Sequence, residues 1–98
     1  MISYETIYIT TAEASDTTVA EINNKATDII KKYEGTVDKI DDWGVRKLGY
    51  KIQHQNRGHY IYIAYQAKSG VVKELDKALQ LREDVLKQLT VRQEQEGS

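Results

Sequence analysis

The chain has 98 residues, enough for one domain around one core. Its 40% hydrophobic and 30% charged residues describe a folding sequence. No apolar run nears the roughly 18 residues of a membrane helix, and the absence of cysteine excludes disulfides, thiolate catalysis and cysteine metal sites. Fourteen basic against fifteen acidic residues give a net charge of −1, which argues against a protein that grips nucleic acid unaided through a positive excess.

Residues 2–10, ISYETIYIT, are rich in Ile, Tyr and Thr and predict a first strand. Apolar residues stand on both of its parities, Ile7 and Ile9 against Tyr4 and Tyr8, so alternation leaves its buried face open. Thr18 and Glu21 have the spacing of a capping box, with Asp16 as a competing cap. Val19, Ile22, Ala26, Ile29, Ile30 and Tyr33 then recur at helical spacing, and Gly35 stands where a helix stops. Strand character runs from Thr36 to about Gln53, but its parity switches. Ile40, Leu48, Tyr50 and Ile52 share one set and Val37, Trp43 and Val45 the other, which predicts a bulge or kink around Gly44.

The stretch 54–58, HQNRG, reads as a turn, and 59–67, HYIYIAYQA, as the strongest strand. On it Ile61, Ile63, Tyr65 and Ala67 suit a core, leaving Tyr60, Tyr62 and Ala64 to face outward. A second helix follows a possible Ser69 cap, with Val71 or Val72, Leu75, Ala78 and Leu79 on one face. Residues 85–92, VLKQLTVR, alternate as a last strand, and 94–98 form a short polar tail after a single domain spanning 1–93. The order β-α-β-β-α-β predicts an α+β, ferredoxin-like split βαβ: a four-stranded antiparallel sheet with both helices on one face. The second strand is then an edge, where charged residues discourage pairing with another copy.

Chemistry is sparse. His54 and His59 flank a turn but have no committed third ligand, so a solvated pair is expected rather than a metal site. Asp41 and Asp42 are adjacent on a strand and point to opposite faces, so they cannot share a substrate. No nucleophile pattern, P-loop or GxGxxG is present. The expectation is no enzyme, no cofactor, no metal and no small-molecule substrate. The N-terminal MISYETIY lacks a basic region before an apolar one, so a cytoplasmic location is expected. Arg57-Gly58 before an aromatic strand partly matches the third strand of RNA recognition motif domains. His59 and Ile61, however, occupy the positions that should carry stacking rings. A protein-only interaction domain of the same fold is a further alternative.

One segment is more specific. GVRKLGYKI (44–52), preceded by Asp41, Asp42 and Trp43 and followed closely by Gly58, resembles the bacterial small-subunit ribosomal protein six family. Tyr4-Glu5 and the final LREDVLKQLTVR (81–92) extend the resemblance over nearly the whole chain, with Gly49 a departure where Ala or Ser is usual. It implies a non-enzymatic component of the small-subunit platform, bound to the central domain of the small-subunit (16S-type) rRNA together with ribosomal protein eighteen. It also implies contact residues: Arg46, Lys47, Lys51, Arg57, Lys87 and Arg92 for rRNA or partner, and Asp41, Asp42, Trp43, Tyr50, Tyr60 and Tyr62 for the partner interface.

Overall fold

In a computed structural model describing residues 1–93, the elements are β1 (Ile2–Thr11), α1 (Asp16–Lys32), β2 (Thr36–Ile52), β3 (Gln55–Ala67), α2 (Val71–Gln80) and β4 (Val85–Arg92). The polar tail expected at 94–98 lies outside the described residues. All strand pairs are antiparallel, in the order β2-β3-β1-β4, and both helices pack on one face. This is the ferredoxin-like plan, with β2 at an edge.

The helix side of the sheet is built from alternate residues. Tyr4, Tyr8, Ile61, Ile63, Tyr65, Ala67 and Val85 meet Val19, Ile22, Ala26, Ile29 and Ile30 of α1 and Val71, Leu75 and Leu79 of α2. Each large aliphatic removed from water here contributes about 1.5–3 kcal/mol. The open question for β1 resolves toward its Tyr and Thr set. Thr6 and Thr10 are fully buried, and among the described residues no buried side-chain nitrogen or oxygen lacks a hydrogen-bond partner. Thr6 Oγ1 lies 2.9 Å from Tyr65 Oη and 2.8 Å from Thr90 Oγ1, a hydroxyl chain across three strands. Because hydroxyls donate and accept, a Thr stripe can line a core without orphaned groups.

Both helix ends of α1 differ from the expected caps. Ser15, extended at φ −73° and ψ 163°, is the N-cap, and the Thr18 N–H donates to its Oγ at 3.1 Å. At the C-terminus the left-handed residue is Glu34 (φ 60°) rather than Gly35. The Gly35 N–H donates to Ile30 O (2.9 Å) and the Glu34 N–H to Lys31 O (3.0 Å), the two bonds of a Schellman closure. Gly35 is needed for another reason. A Cβ there would fall 2.3 Å from Gln66 O and 2.7 Å from both Ala67 Cβ and Ile30 Cγ2, so the chain turns into β2 flush against β3. At α2 the N-cap is Gly70 with no side-chain bond, so Ser69 does not cap it.

The turn between β2 and β3 is shorter than the expected 54–58. Ile52 pairs with Gln55, leaving Gln53 and His54 as a two-residue loop with φ of 49° and 67°. Positive φ at both positions is the type I′ geometry, here built without the usual Asn-Gly. Asn and Gly do occur at 56 and 58, which is why composition places the turn too late. The hairpin is irregular below this loop. Its register shifts between Lys47 and Ile52, so residues 48–51 bow out of the ladder. Leu48 folds back to be buried with Ile9 and Leu86, with Ile52 and Tyr60 against them, as a second small core on the sheet's outer face.

Candidate interaction surface

The parity switch expected at Gly44 is a β-bulge. Register slips between Asp42, which pairs with Ile61, and Gly44, which pairs with Tyr60. Gly44 has φ 80°, open space around it, and an N–H that donates to Asp42 Oδ1 at 2.8 Å. The same oxygen lies 2.6 Å from Nε2 of His59 on β3. Burial raises the Asp42 carboxyl's pKa, but the hydrogen bonds from His59 and Gly44 outweigh it and hold the group below its ordinary value. Asp42 is therefore the acceptor and His59 must carry its proton on Nε2. His59 is 8% exposed, which corrects the solvated pair expected of His54 and His59. His54 sits in the hairpin turn, and no group of three metal-ligating side chains occurs among the described residues.

The bulge frees Trp43 to lie on the outer face. Its ring stacks on Tyr62 with centroids 5.4 Å apart and planes 8° from parallel. The Arg46 guanidinium covers the indole at 5.5 Å, with Nε donating to Trp43 O at 3.3 Å. An Arg–Trp–Tyr stack gains both offset aromatic and cation–π attraction, each about 0.5–1 kcal/mol at a partly exposed site. The outer face continues from it in register. Tyr62 is opposite Ile7, and Ile7 opposite Leu89, while Glu5 stands opposite Val91. Leu89 and Val91 are 56% and 52% exposed, and Trp43 37%, so the row Trp43–Tyr62–Ile7–Leu89 with Val91 forms one uncovered apolar strip across four strands. Such a contiguous strip marks a contact surface more often than scattered exposure does. Glu5 and Asp41 lie on this face beside Tyr62, whose hydroxyl pKa rises through desolvation and then through Glu5 and Asp41.

The residues expected at the partner interface therefore separate. Trp43, Tyr62, Tyr60 and Asp41 share the outer face, Asp41 pairing with Tyr62. Asp42 turns to the helix side with Ile61, as adjacent strand residues must. Tyr50 reaches back over the outer face to β4, where its hydroxyl accepts from Lys87 Nζ at 3.1 Å. The basic set divides likewise. Arg46 is on the outer face, in register with Gly58, and Lys87 is there opposite Ile9. Lys47 and Arg57 are opposite one another on the other face. Lys51 is exposed in the bowed segment. Arg92 pairs with Tyr4, hence lies at the Tyr65 end of β3, eight residues or about 26 Å from Arg57.

Sequence reasoning missed Ile7, Leu89 and Val91 as surface residues and His59 as a buried anchor. The first three become legible once β1 is oriented, and burial of Thr6 and Thr10 is what orients it. Gly58 also has a specific role. A Cβ at 58 would lie 2.4 Å from Ile9 Cγ2 and 3.5 Å from Leu48 Cδ2, so the glycine admits the small outer core that anchors the hairpin. A concavity of about 530 Å³ runs between the helices and is lined by Lys25, Glu74, Lys77 and Arg82 around Ile29 and Leu81. Its charges are paired or solvated, with Lys32 and Tyr33 both donating to Glu74 Oε1 at 2.9 Å.

A ferredoxin-like sheet with one face capped by helices and one apolar face left uncovered has the form of a binding protein. The sequence model of the family described as Ribosomal protein S6 matches residues 3–92, and the chain belongs to that family. It is 36% identical over 95 residues to small ribosomal subunit protein bS6 of Geobacter sulfurreducens, covering 97% of this chain and 81% of the relative. With the bS6 of Pelobacter propionicus it shares 38% over 87 residues, covering 89% and 67% respectively. The crystal structure of 30S ribosomal protein S6 from Thermotoga maritima has the same fold, with a TM-score of 0.85 at 22% identity over 94% of this chain and 87% of that one. The chain is thus a small-subunit ribosomal protein of the bacterial cytoplasm, structural and not enzymatic.

Proposed function

We propose that this protein holds its place in the platform of the small subunit by docking ribosomal protein eighteen on its outer sheet face. The pair then binds the central domain of the small-subunit rRNA. The observation that carries this reading is the apolar strip Trp43–Tyr62–Ile7–Leu89, uncovered on a face that the helices leave free. Its rim holds Glu5, Asp41, Arg46 and Lys87, which suits a partner that presents both apolar and charged groups. The net charge of −1 fits a shared task, because a basic partner supplies much of the phosphate contact. Specificity for RNA then comes from the shape of a folded junction and the composite surface.

Capture of ribosomal protein eighteen by the tagged full chain tests the reading. Trp43→Ala and Leu89→Ala are expected to weaken capture at least about fivefold, since truncating central apolar anchors costs about 1–4 kcal/mol. Sedimentation of the tagged chain only at the top of a sucrose gradient, never with small subunits, would overturn it. Such sedimentation is what a protein-only domain working off the ribosome predicts.

Recognition of single strands in the manner of an RNA recognition motif is disfavoured by the same face. One side of the Tyr62 ring is covered by Trp43, and Tyr60 packs on Ile9, Leu48 and Leu86. Tyr60→Ala and Tyr62→Ala should then leave binding to isolated single-stranded RNA as weak as in the unaltered chain, against a loss of roughly 1–3 kcal/mol per stacked base otherwise.

A further inference from the structure

Between Gly44 and Gly58 the hairpin carries Arg46, Lys47, Lys51 and Arg57 and no acidic residue. Strand pairing sorts the first, second and fourth of these by face. Arg46 is opposite Gly58, on the outer face, and is engaged with Trp43. Leu48 also turns to that face, where it is buried against Ile9. Lys47, between them, turns the other way and stands directly opposite Arg57. Both are exposed, and neither has a carboxylate within ion-pair distance among the described residues. The contrast with the rest of β2 is sharp, because Lys39 pairs with Asp41 at 3.0 Å and Asp42 with His59 at 2.6 Å.

Directly opposed residues on antiparallel strands place their Cβ atoms about 4.5–5.5 Å apart, and like charges there destabilise the sheet. A cross-strand Lys–Arg pair with no counter-charge therefore weakens the free protein. It becomes favourable when an anion sits between the two heads, and the spacing suits a single phosphate group held by an ammonium and a guanidinium. Resting on the proposed assembly, we infer that Lys47 and Arg57 are a phosphate clamp for the RNA backbone, while Arg46, on the opposite face, serves the protein-docking surface. The sheet edge thus separates two partners by side-chain parity alone.

The full chain, with ribosomal protein eighteen, is titrated against a small-subunit rRNA fragment containing the central-domain junction, from 50 to 200 mM salt. Lys47→Gln with Arg57→Gln is expected to lower affinity roughly tenfold and to flatten the slope of log K against log salt by about 0.9, the value of one duplex phosphate contact. Arg46→Gln should leave that slope unchanged and weaken capture of the partner in the absence of RNA. An unchanged slope in the double variant, or loss of partner capture in it, overturns the assignment and gives the pair to the protein partner. If the unaltered chain binds neither partner nor RNA, the assembly reading itself fails. The free chain supplies an independent arm. Arg57→Glu should raise Tm by about 1–4 °C by replacing repulsion with attraction while RNA affinity falls, and a lowered Tm would remove the like-charge argument.

Discussion

Asp42 and His59 are joined at 2.6 Å across β2 and β3, on the face of the sheet opposite to the one that Trp43 occupies. The carboxylate oxygen that binds the imidazole also receives the Gly44 N–H, so one atom fixes the bulge from both sides. Trp43 sits between Asp42 and Gly44, and its orientation over Tyr62 depends on a contact it does not make.

Replacing His59 should accordingly be seen at Trp43. It is the single tryptophan, so its fluorescence reports this site alone. His59→Ala is expected to cost about 1–3 kcal/mol, the value of a buried hydrogen-bonding group and its packing, and to shift Trp43 emission to the red. Asp42→Asn keeps an acceptor for the Gly44 N–H and should cost less. Emission unchanged in His59→Ala would show that Trp43 is held by Tyr62 and Arg46 alone.

Acid should loosen the fold through three carboxylates. The Arg82 hydrogen bond lowers the pKa of Asp84, the Lys32 and Tyr33 hydrogen bonds lower that of Glu74, and Asp42 is lowered as described. Depressed folded values mean stability that is present above the unfolded carboxylate range, about pH 4, and lost as pH falls through the folded values. All three are substantially solvated, so the loss is small and shrinks with salt. Asp76 behaves oppositely, its pKa raised by burial. Asp76→Asn is expected to raise Tm at pH 7 and to have no effect at pH 3, and equal gains at both would contradict this.

At the end of α1, Glu34 and Gly35 should respond in opposite senses. Glu34→Gly relieves a left-handed side-chain residue and is expected to gain up to about 1 kcal/mol, less the small worth of its exposed ion pair with Lys68. Gly35→Ala forces a methyl onto a backbone carbonyl and should cost about 3 kcal/mol. Urea unfolding of both variants checks the contrast.

The hairpin loop has similar slack. Gln53→Asn with His54→Gly installs residues that accept positive φ at both central positions, and is expected to stabilise the chain by about 1 kcal/mol. A loss of stability would mean that His54 makes a contact worth more than the relieved strain.

Charges on the edge strand are expected to keep it single. Asp41→Val with Lys47→Val leaves the Asp42–His59 latch intact and removes one charge from each face of β2. Concentration-dependent dimers on gel filtration should result, because an edge with fewer charges guards its unpaired backbone groups less well. Monomeric elution at all concentrations would sink the prediction.

Element order, sheet order and the β3 core residues were legible in the sequence because period-2 and period-3.6 patterns are strong where one face is buried. The bulge at Gly44 was legible as a broken parity. What escaped is whatever the pattern leaves ambiguous. Strand β1 has apolar residues on both faces because both faces are used, one by the core and one by the exposed strip. Its Thr6 and Thr10 look like surface residues until their hydroxyls find partners. His59 looked solvated because its partner lies 17 residues away in the chain. Turn chemistry misled at both ends of β2, where Glu34, Gln53 and His54 take a conformation usually left to Gly or Asn.

The position of β1 has a consequence for synthesis. This strand is made first, yet it lies inside the sheet between β3 and β4, and Tyr4 has its partners at Tyr65 and Arg92. At roughly 5–20 residues per second, the strand waits several seconds for its last neighbour to be translated. During that time Tyr8, Ile7 and Ile9 have β3 on one side at most, and a chain released early, short of β4, would keep the other side of its central strand bare. A component of the translating machine thus completes its own sheet only when translation has delivered its final strand.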